Sequence, residues 1–321
     1  MNDFQYTLEP YNGMKTRFQC PNCNKKGIFT KYIDNTTNEY LNDKVGKCNR
    51  TIKCGYHYTP KQYFNDNDFS NNGKVTARIK QRVYNENNHK VTTRAKTKIE
   101  TSFIPKDVFN KSLQTEHTNC FIDYLANIWD YEIAYYLAEK YNIGTSKHWN
   151  GATVFWQVDK TGNVRSGKIM LYNPITGKRV KEPYNHINWV HTVLKLENFN
   201  LEQCYFGEHL LNEDKSKPVA IVESEKTAII SSVFLPDFIW ISCGSVNNLN
   251  YTKTSFLKGR NVVLFPDLSC YELWNSKIAT LTKLATFRTS TLLETKATEE
   301  EKKQGLDIAD YLIQINNNYK L

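Results

Sequence analysis

The sequence predicts a multidomain α/β protein. Two observations support this class. Alternating apolar and polar residues over 152–193 indicate an antiparallel sheet, and strand–helix units that repeat after residue 218 are typical of a mostly parallel, four-stranded sheet. We expect four segments: a small cysteine-containing module at 1–64, a basic linker or arm at 65–102, a subdomain of helices and antiparallel strands at 103–217, and an α/β domain at 218–321.

The first segment contains four of the eight cysteines, in a pattern typical of a metal site. Two residues separate Cys20 from Cys23, and Cys48 and Cys54 follow. A tight turn with two thiolates supplies half of a tetrahedral Zn²⁺ site. The wide second spacing leaves His57 as an alternative to Cys54, and we favour Cys54 because a thiolate is the softer ligand. The module is therefore predicted to be a zinc ribbon whose ligands are Cys20, Cys23, Cys48 and Cys54.

The charge of the chain favours a polyanionic partner. Its 321 residues carry a formal net charge of +9, and an excess of Lys and Arg is typical of nucleic-acid binding. In the ribbon, basic residues lie among aromatic ones, so Lys25, Lys26 and Arg50 are candidates for phosphate contact. A solvated basic face on a structural module is the alternative. The linker at 65–102 is either a flexible tether or an arm that orders on nucleic acid.

The third segment changes from a helical to a strand pattern. Apolar and aromatic residues recur at helical spacing over 103–141, and alternation begins at residue 152. The strands carry three candidates for phosphate contact: Arg165, Lys168 and Arg179. A half-buried sheet with solvated basic residues is equally compatible with this pattern.

The last segment places two carboxylates at the ends of strands. The apolar run Val219–Val222 ends at Glu223, and the run 261–265 is followed by Pro266 and Asp267. The carboxyl ends of parallel strands meet at one edge of a sheet, where ligands bind in open α/β folds. We therefore expect Glu223 and Asp267 to lie close together at that edge.

This order of motifs resembles the Toprim domain of topoisomerases, bacterial primases and helicase-primases. The resemblance is carried by Glu223-Ser224-Glu225-Lys226, by Pro266-Asp267 and by Asp307-Ile308-Ala309-Asp310-Tyr311-Leu312. It implies that Glu223 takes part in acid–base chemistry at a phosphodiester and that an Asp-x-Asp pair holds Mg²⁺. Asp267 matches the first acid, but Ser269 occupies the second position. Glu223 and Asp267 would then hold one Mg²⁺, with Asp307 or Asp310 as substitutes for the missing acid.

Together with the ribbon, the chain is similar to bacterial DNA primase and to primase-like proteins of bacterial mobile elements. This resemblance implies primer synthesis on single-stranded DNA from nucleoside triphosphates, with a replicative helicase as a partner. The alternatives are a non-catalytic DNA-binding protein for replication or mobilisation of a mobile element, and a Toprim nuclease. Neither a membrane-spanning stretch nor a signal pattern is present, so we expect a cytoplasmic protein and no membrane partner.

Overall fold

The computed structural model describes residues 4–51, 54–66, 100–114 and 118–319. It divides the chain into two compact units, Met1–Ala95 and Lys96–Leu321. Most of the predicted linker or arm, residues 67–99, lies outside the described residues. Helices and several sheets occur together, which confirms the mixed α/β class.

The amino-terminal unit is built on a small antiparallel sheet. Its strands are β1 (Tyr6–Leu8), β2 (Phe29–Asp34), β3 (Gly46–Cys48) and β4 (His57–Tyr58), in the order β1-β2-β3-β4, and helix α1 (Pro60–Asp66) follows. The buried cluster of this unit consists of Cys20, Phe29 and Cys48. A core of this size supplies little hydrophobic stabilisation, so the fold needs another source of stability.

In the second unit, three helices precede an antiparallel sheet. The helices are α2 (Lys106–Ser112), α3 (Cys120–Ile128) and α4 (Tyr131–Lys140). The strands are β5 (Ile143–Ser146), β6 (Ala152–Val158), β7 (Val164–Met170) and β8 (Ile187–Trp189), in sequential order, followed by the short helix α5 (Val190–Val193). The helical region is divided because Asn119 and Asp130 accept backbone N–H groups as N-caps of α3 and α4.

The chain then forms a parallel sheet. The strands are β9 (Val219–Val222), β10 (Ile239–Ser242), β11 (Asn261–Leu264) and β12 (Thr286–Thr289), in the order β10-β9-β11-β12 and all parallel. The helices are α6 (Glu225–Phe234), α7 (Tyr271–Ile278), α8 (Leu292–Lys296), α9 (Glu299–Gln304) and α10 (Ile308–Tyr319). The chain leaves β9 toward β10 on one side, and β11 lies on the other side. This switch point, between β9 and β11, is where open α/β sheets form a crevice.

The two sheets of the second unit share one hydrophobic core. A single cluster of buried side chains includes Phe121 of α3, Phe155 of β6 and Ile221 of β9. The helices and the antiparallel sheet are therefore packed against the parallel sheet, and this packing fixes residues of both sheets relative to the crevice.

A buried carboxyl group in this unit makes its stability depend on pH. Glu208 is 5% exposed, its Oε1 accepts the backbone N–H of Lys160 at 3.2 Å, and burial raises the pKa of its carboxyl from 4.5 to about 6. The folded state therefore binds more protons than the unfolded state between these two pKa values. This contribution to stability is complete below pH 4.5 and is lost as the pH rises through 6.

We expect Glu208→Gln to remove this pH dependence. Relative to the wild type, the variant should gain about 2 kcal/mol in free energy of unfolding between pH 4.5 and pH 7. Urea unfolding of both proteins across this range measures the difference, and the comparison cancels the titrations that they share. The exposed Glu213→Gln is the control. A constant difference between Glu208→Gln and the wild type at all pH values would contradict the prediction.

Candidate functional site

The four predicted zinc ligands come together in the amino-terminal unit. The sulfur atoms of Cys20, Cys23, Cys48 and Cys54 all lie within 4.8 Å of one another, and those of Cys20 and Cys54 are 3.7 Å apart. A tetrahedron with Zn–S bonds of about 2.3 Å separates its sulfur atoms by about 3.8 Å. The donor set and its spacing therefore fit Zn²⁺, which supports zinc as the cofactor of this unit.

The alternative ligand, His57, has other contacts. Its ring stacks on that of Tyr32, with an interplanar angle of 5°, and its Nε2 lies 2.9 Å from the Tyr32 hydroxyl. By contrast, the Asn22 amide donates to the Cys54 sulfur at 3.5 Å and lowers the pKa of that thiol to about 6. The thiolate is the form that binds metal, so the geometry favours Cys54 over His57.

The predicted phosphate contacts of the ribbon differ in exposure. Lys25 and Lys26 are exposed, and within the described part of the chain neither makes an ion pair. Arg50 is half-buried, and its carbonyl accepts the backbone N–H groups of Cys54 and Gly55. Arg50 therefore shapes the second cysteine turn, and the two lysines are the more accessible candidates.

In the second unit, Glu223 and Asp267 follow the adjacent strands β9 and β11 and line one pocket of about 490 Å³. Two further carboxylates line the same pocket, those of Glu225 on α6 and of Asp307 just before α10. The basic residues that line it are Lys168, Lys178, Arg179, Lys181 and Lys226. The pocket is thus lined both by carboxylates and by basic residues from the antiparallel sheet, from the connection between β7 and β8 and from α6.

Asp267 is a half-buried residue whose carboxylate has no compensating partner among the described residues. Burial raises its pKa to about 8, and the nearby charges of Asp307, Glu223 and Asp310 add to this effect. Its carboxylate makes no hydrogen bond or ion pair with any residue that the structure describes. Such a group holds either a proton or a cation near neutral pH.

The other two acids are held by hydrogen bonds. Burial raises the pKa of Glu223, and the backbone N–H of Val246, which donates to its carboxylate, opposes the shift. Burial and the charge of Asp310 raise the pKa of Asp307, whose carboxylate accepts the Thr227 hydroxyl and the backbone N–H of Asp310. Both side chains are therefore fixed in orientation before any ligand binds.

Two of the three predicted basic contacts reach this pocket. Lys168 lines it, but its Nζ is 3.1 and 3.0 Å from the two carboxylate oxygens of Glu225. Arg165 is not among the lining residues; its Nε is 2.6 Å from a carboxylate oxygen of Asp159, and its Nη1 is 3.3 Å from one of Glu202. Ion pairs therefore hold both side chains.

Arg179 is the available cation of the three. Together with Lys178 and Lys181 it is exposed, and none of them forms an ion pair with a described residue. We call these three residues the basic strip. Lys178 and Arg179 follow a turn closed by Gly177, which has a φ of 61° and faces the ring of Tyr124, 2.1 Å from where a Cβ would lie. Gly177 thus lets the turn pack closely on α3.

Ser269 does not line the pocket. Its backbone has a φ of 66°, its N–H donates to Glu294 Oε1 at 2.9 Å, and its hydroxyl donates to the Lys302 carbonyl at 3.3 Å. The position that holds the second acid in the Toprim pattern is therefore used here to join the β11 loop to α8 and α9. Apart from Glu225, which pairs with Lys168, the additional acid that lines the pocket is Asp307.

Among the described residues, no helix is long and apolar enough to span a membrane.

Comparisons with family models match two regions of the chain. Residues 4–69 match the zinc β-ribbon finger family, which confirms the predicted zinc ribbon. Residues 119–268 match a domain of unknown function, DUF6371. No curated protein sequence matches the chain.

Solved structures with similarity to the chain include primase domains. The RNA polymerase domain of Mycobacterium tuberculosis primase DnaG has 10% identity and a TM-score of 0.40, with coverage of 62% of this chain and 80% of that chain. The DnaG primase catalytic domain bound to ssDNA has 12% identity and a TM-score of 0.37, covering 63% and 80%. The primase fragment of the bacteriophage T7 primase-helicase protein has 10% identity and a TM-score of 0.36, covering 90% and 97%. The chain is thus similar to zinc β-ribbon fingers over residues 4–69 and to the DUF6371 domain over residues 119–268.

Proposed function

We propose that this chain is a primase-like enzyme that joins nucleotides on a single-stranded template in a metal-dependent reaction at the pocket of Glu223 and Asp267. The observation that carries the proposal is Asp267, a half-buried carboxylate with no partner among the described residues, which lines one pocket together with Glu223 and Asp307. Its position at the switch point of the parallel sheet and the Toprim-like motif around Glu223 support the same conclusion.

The carboxylates of Glu223, Asp267 and Asp307 in the pocket fit Mg²⁺. This ion prefers oxygen ligands and is usually bound through one or two carboxylates together with water and substrate phosphates. Asp267 and Glu223 would hold it, and Asp307 would supply the negative charge that Ser269 lacks. When bound, the ion neutralises phosphate oxygens and stabilises the charge that develops during phosphoryl transfer.

The residues of the chain have separate roles in this reaction. The attacking hydroxyl forms a bond to the α-phosphorus of a nucleoside triphosphate while the bond to pyrophosphate breaks. Glu223 accepts the proton of that hydroxyl, because it is oriented by the Val246 N–H and burial raises its pKa toward neutrality. The basic strip holds the phosphates, and the pair between Lys168 and Glu225 keeps the wall of the pocket in place.

We expect Mg²⁺ binding to release a proton from Asp267. The pKa of this carboxyl is about 8, so below that pH the ion must displace the proton, and the affinity should rise about tenfold per pH unit from pH 6 to pH 8. Isothermal titration calorimetry at pH 7, in two buffers of different ionisation enthalpy, measures the number of protons released. Asp267→Asn should bind Mg²⁺ more weakly and without proton release.

Ser269→Asp is the comparison for this experiment. It adds a carboxylate two residues from Asp267, but its position does not line the pocket, so the Mg²⁺ affinity should stay at the wild-type value. Binding that releases no proton in the wild type, or equal affinity in Asp267→Asn, would contradict the assignment of Asp267. Primer synthesis on single-stranded templates is the direct test of the proposed function.

A second candidate is a nucleic-acid-binding protein that retains this fold without catalysis. The replacement of the second acid by Ser269 favours it. It predicts binding that weakens steeply with salt and no incorporation of nucleotides in the presence of Mg²⁺ or Mn²⁺. Nicking of a supercoiled plasmid under the same conditions would instead indicate a nuclease.

A further inference from the structure

Four aromatic rings lie in a row beside the antiparallel sheet. His148 and Trp149 have ring centroids 4.3 Å apart, Trp149 and His186 are 5.0 Å apart, and His186 and Tyr184 are 4.5 Å apart. We call this row the aromatic ladder. His186 is buried, and the ring of Tyr184 stacks on it at an interplanar angle of 19° while 56% of Tyr184 remains exposed. The ladder therefore ends in a solvent-exposed ring, one face of which packs on His186.

The ladder is attached to the basic strip. The backbone N–H of His186 donates to the carbonyl of Val180, and the His186 carbonyl accepts the N–H of Leu171. Val180 lies between Arg179 and Lys181, so His186 of the ladder is hydrogen-bonded to the backbone of the segment that carries the strip. The strip lines the pocket of Asp267, so this hydrogen bonding connects the ladder to a segment that lines the pocket.

The buried Nδ1 of His186 makes no hydrogen bond with any described residue that would hold this side chain in place. Buried polar atoms are normally paired, so the position of this ring is determined by its aromatic neighbours. The arrangement supports the outer ring of Tyr184, which itself contributes little to a core because more than half of it is exposed.

We propose that Tyr184 is a stacking site for a base of a single-stranded polynucleotide whose phosphates lie along Lys178, Arg179 and Lys181. An exposed aromatic ring next to unpaired cations is the combination that binds single strands, since every unstacked base has a π-face and every nucleotide a phosphate. A duplex does not offer such a base. This inference rests on the proposed function and specifies where the template strand approaches the pocket.

The test is the fluorescence anisotropy of a labelled oligothymidylate of about twenty nucleotides, titrated with the full chain in magnesium-free buffer that contains no chelator. Tyr184→Ala should weaken binding about tenfold, and Tyr184→Phe should retain the wild-type affinity. Tyr136→Ala is the matched control, because Tyr136 is 59% exposed and lies on α4, outside the ladder. An oligouridylate of the same length shows whether the site prefers DNA or RNA.

Salt dependence separates the roles of the ladder and the strip. Lys181→Gln should lower the slope of log affinity against log salt by about 0.7, which corresponds to one phosphate contact on a single strand. Tyr184→Ala should leave that slope unchanged. Equal affinities for Tyr184→Ala and the wild type, or equal binding of a duplex of the same length, would overturn the inference.

Failure of the proposed stacking site can be distinguished from failure of the proposed function. The binding assay contains no Mg²⁺ and measures no chemistry. If Asp267→Asn binds oligothymidylate normally and no variant incorporates nucleotides, the proposed function is wrong and the stacking site stands. If the wild type synthesises primers and Tyr184→Ala binds the template as well as the wild type does, the stacking site is wrong and the proposed function stands.

Discussion

Cys54→Ser should release zinc and unfold the amino-terminal unit, whereas His57→Ala should retain both the metal and the fold. Two of the three residues in the buried cluster of this unit, Cys20 and Cys48, are themselves ligands. The binding of a structural zinc ion contributes on the order of 10 kcal/mol to folding, far more than the remaining core supplies. Metal analysis of protein purified without chelator should give about one zinc per wild-type chain and much less in Cys54→Ser.

Limited proteolysis shows where the structure is lost. In Cys54→Ser, cleavage should begin within the first 66 residues, while residues 100–319 of the second unit stay protected. His57→Ala removes the ring stacked on Tyr32 but no ligand, so its zinc content should match that of the wild type. Zinc retained in Cys54→Ser and lost in His57→Ala would show that the fourth ligand is His57.

The sequence alone predicts those features of the fold and the site that depend on residues close together in the chain. Two cysteines in a tight turn can bind a metal only in a few ways, so Cys20 and Cys23 indicated the ribbon without knowledge of the remaining fold. The apolar run of β9 places Glu223 at a strand end for the same reason, since the strand and the residue after it are adjacent in sequence. Neighbouring strand ends then followed from the geometry of parallel sheets.

The sequence alone does not predict contacts between residues that are far apart in the chain. Arg165 and Lys168 were predicted as phosphate contacts because they are basic and lie on strands, but Lys168 pairs with Glu225 of α6, and one of the two partners of Arg165 is Glu202. No local pattern shows which cations will find an acid in the folded chain. The sequence likewise left Asp307 and Asp310 as alternative substitutes for the missing acid, and only the packing of α10 in the completed fold shows that Asp307 lines the pocket of Asp267.

Ser269 illustrates a related limit. Its sequence position indicates only that an acid is missing, whereas the structure shows a left-handed backbone and a hydroxyl that donates to the Lys302 carbonyl. A side chain in this conformation has a role in joining the loop to its neighbours. The consequence for function therefore depends on Asp307, which no spacing rule connects to Asp267.

Glu223→Gln and Asp267→Asn should each reduce primer synthesis by about a hundredfold or more. Both substitutions keep the shape of the side chain and remove its charge. The first removes the proton acceptor, and the second removes the principal carboxylate for Mg²⁺; losses of this size are typical when an acid–base group or an electrostatic stabiliser is deleted. The measurement is incorporation of labelled ribonucleotides on single-stranded templates with Mg²⁺ or Mn²⁺.

Asp237→Asn is the matched control for these variants. Asp237 is exposed and precedes β10, so it lies at the opposite edge of the parallel sheet from Asp267 and should leave primer synthesis unchanged. Thermal unfolding distinguishes lost chemistry from lost structure. Because burial raises the pKa of Asp267 from 3.8 to about 8, an uncharged amide at this position should stabilise the metal-free protein relative to the wild type increasingly as the pH rises from 3.8 to about 8. An inactive Asp267→Asn with an unchanged or higher melting temperature thus identifies a catalytic role, whereas full activity in both variants would exclude this pocket as the site of the reaction.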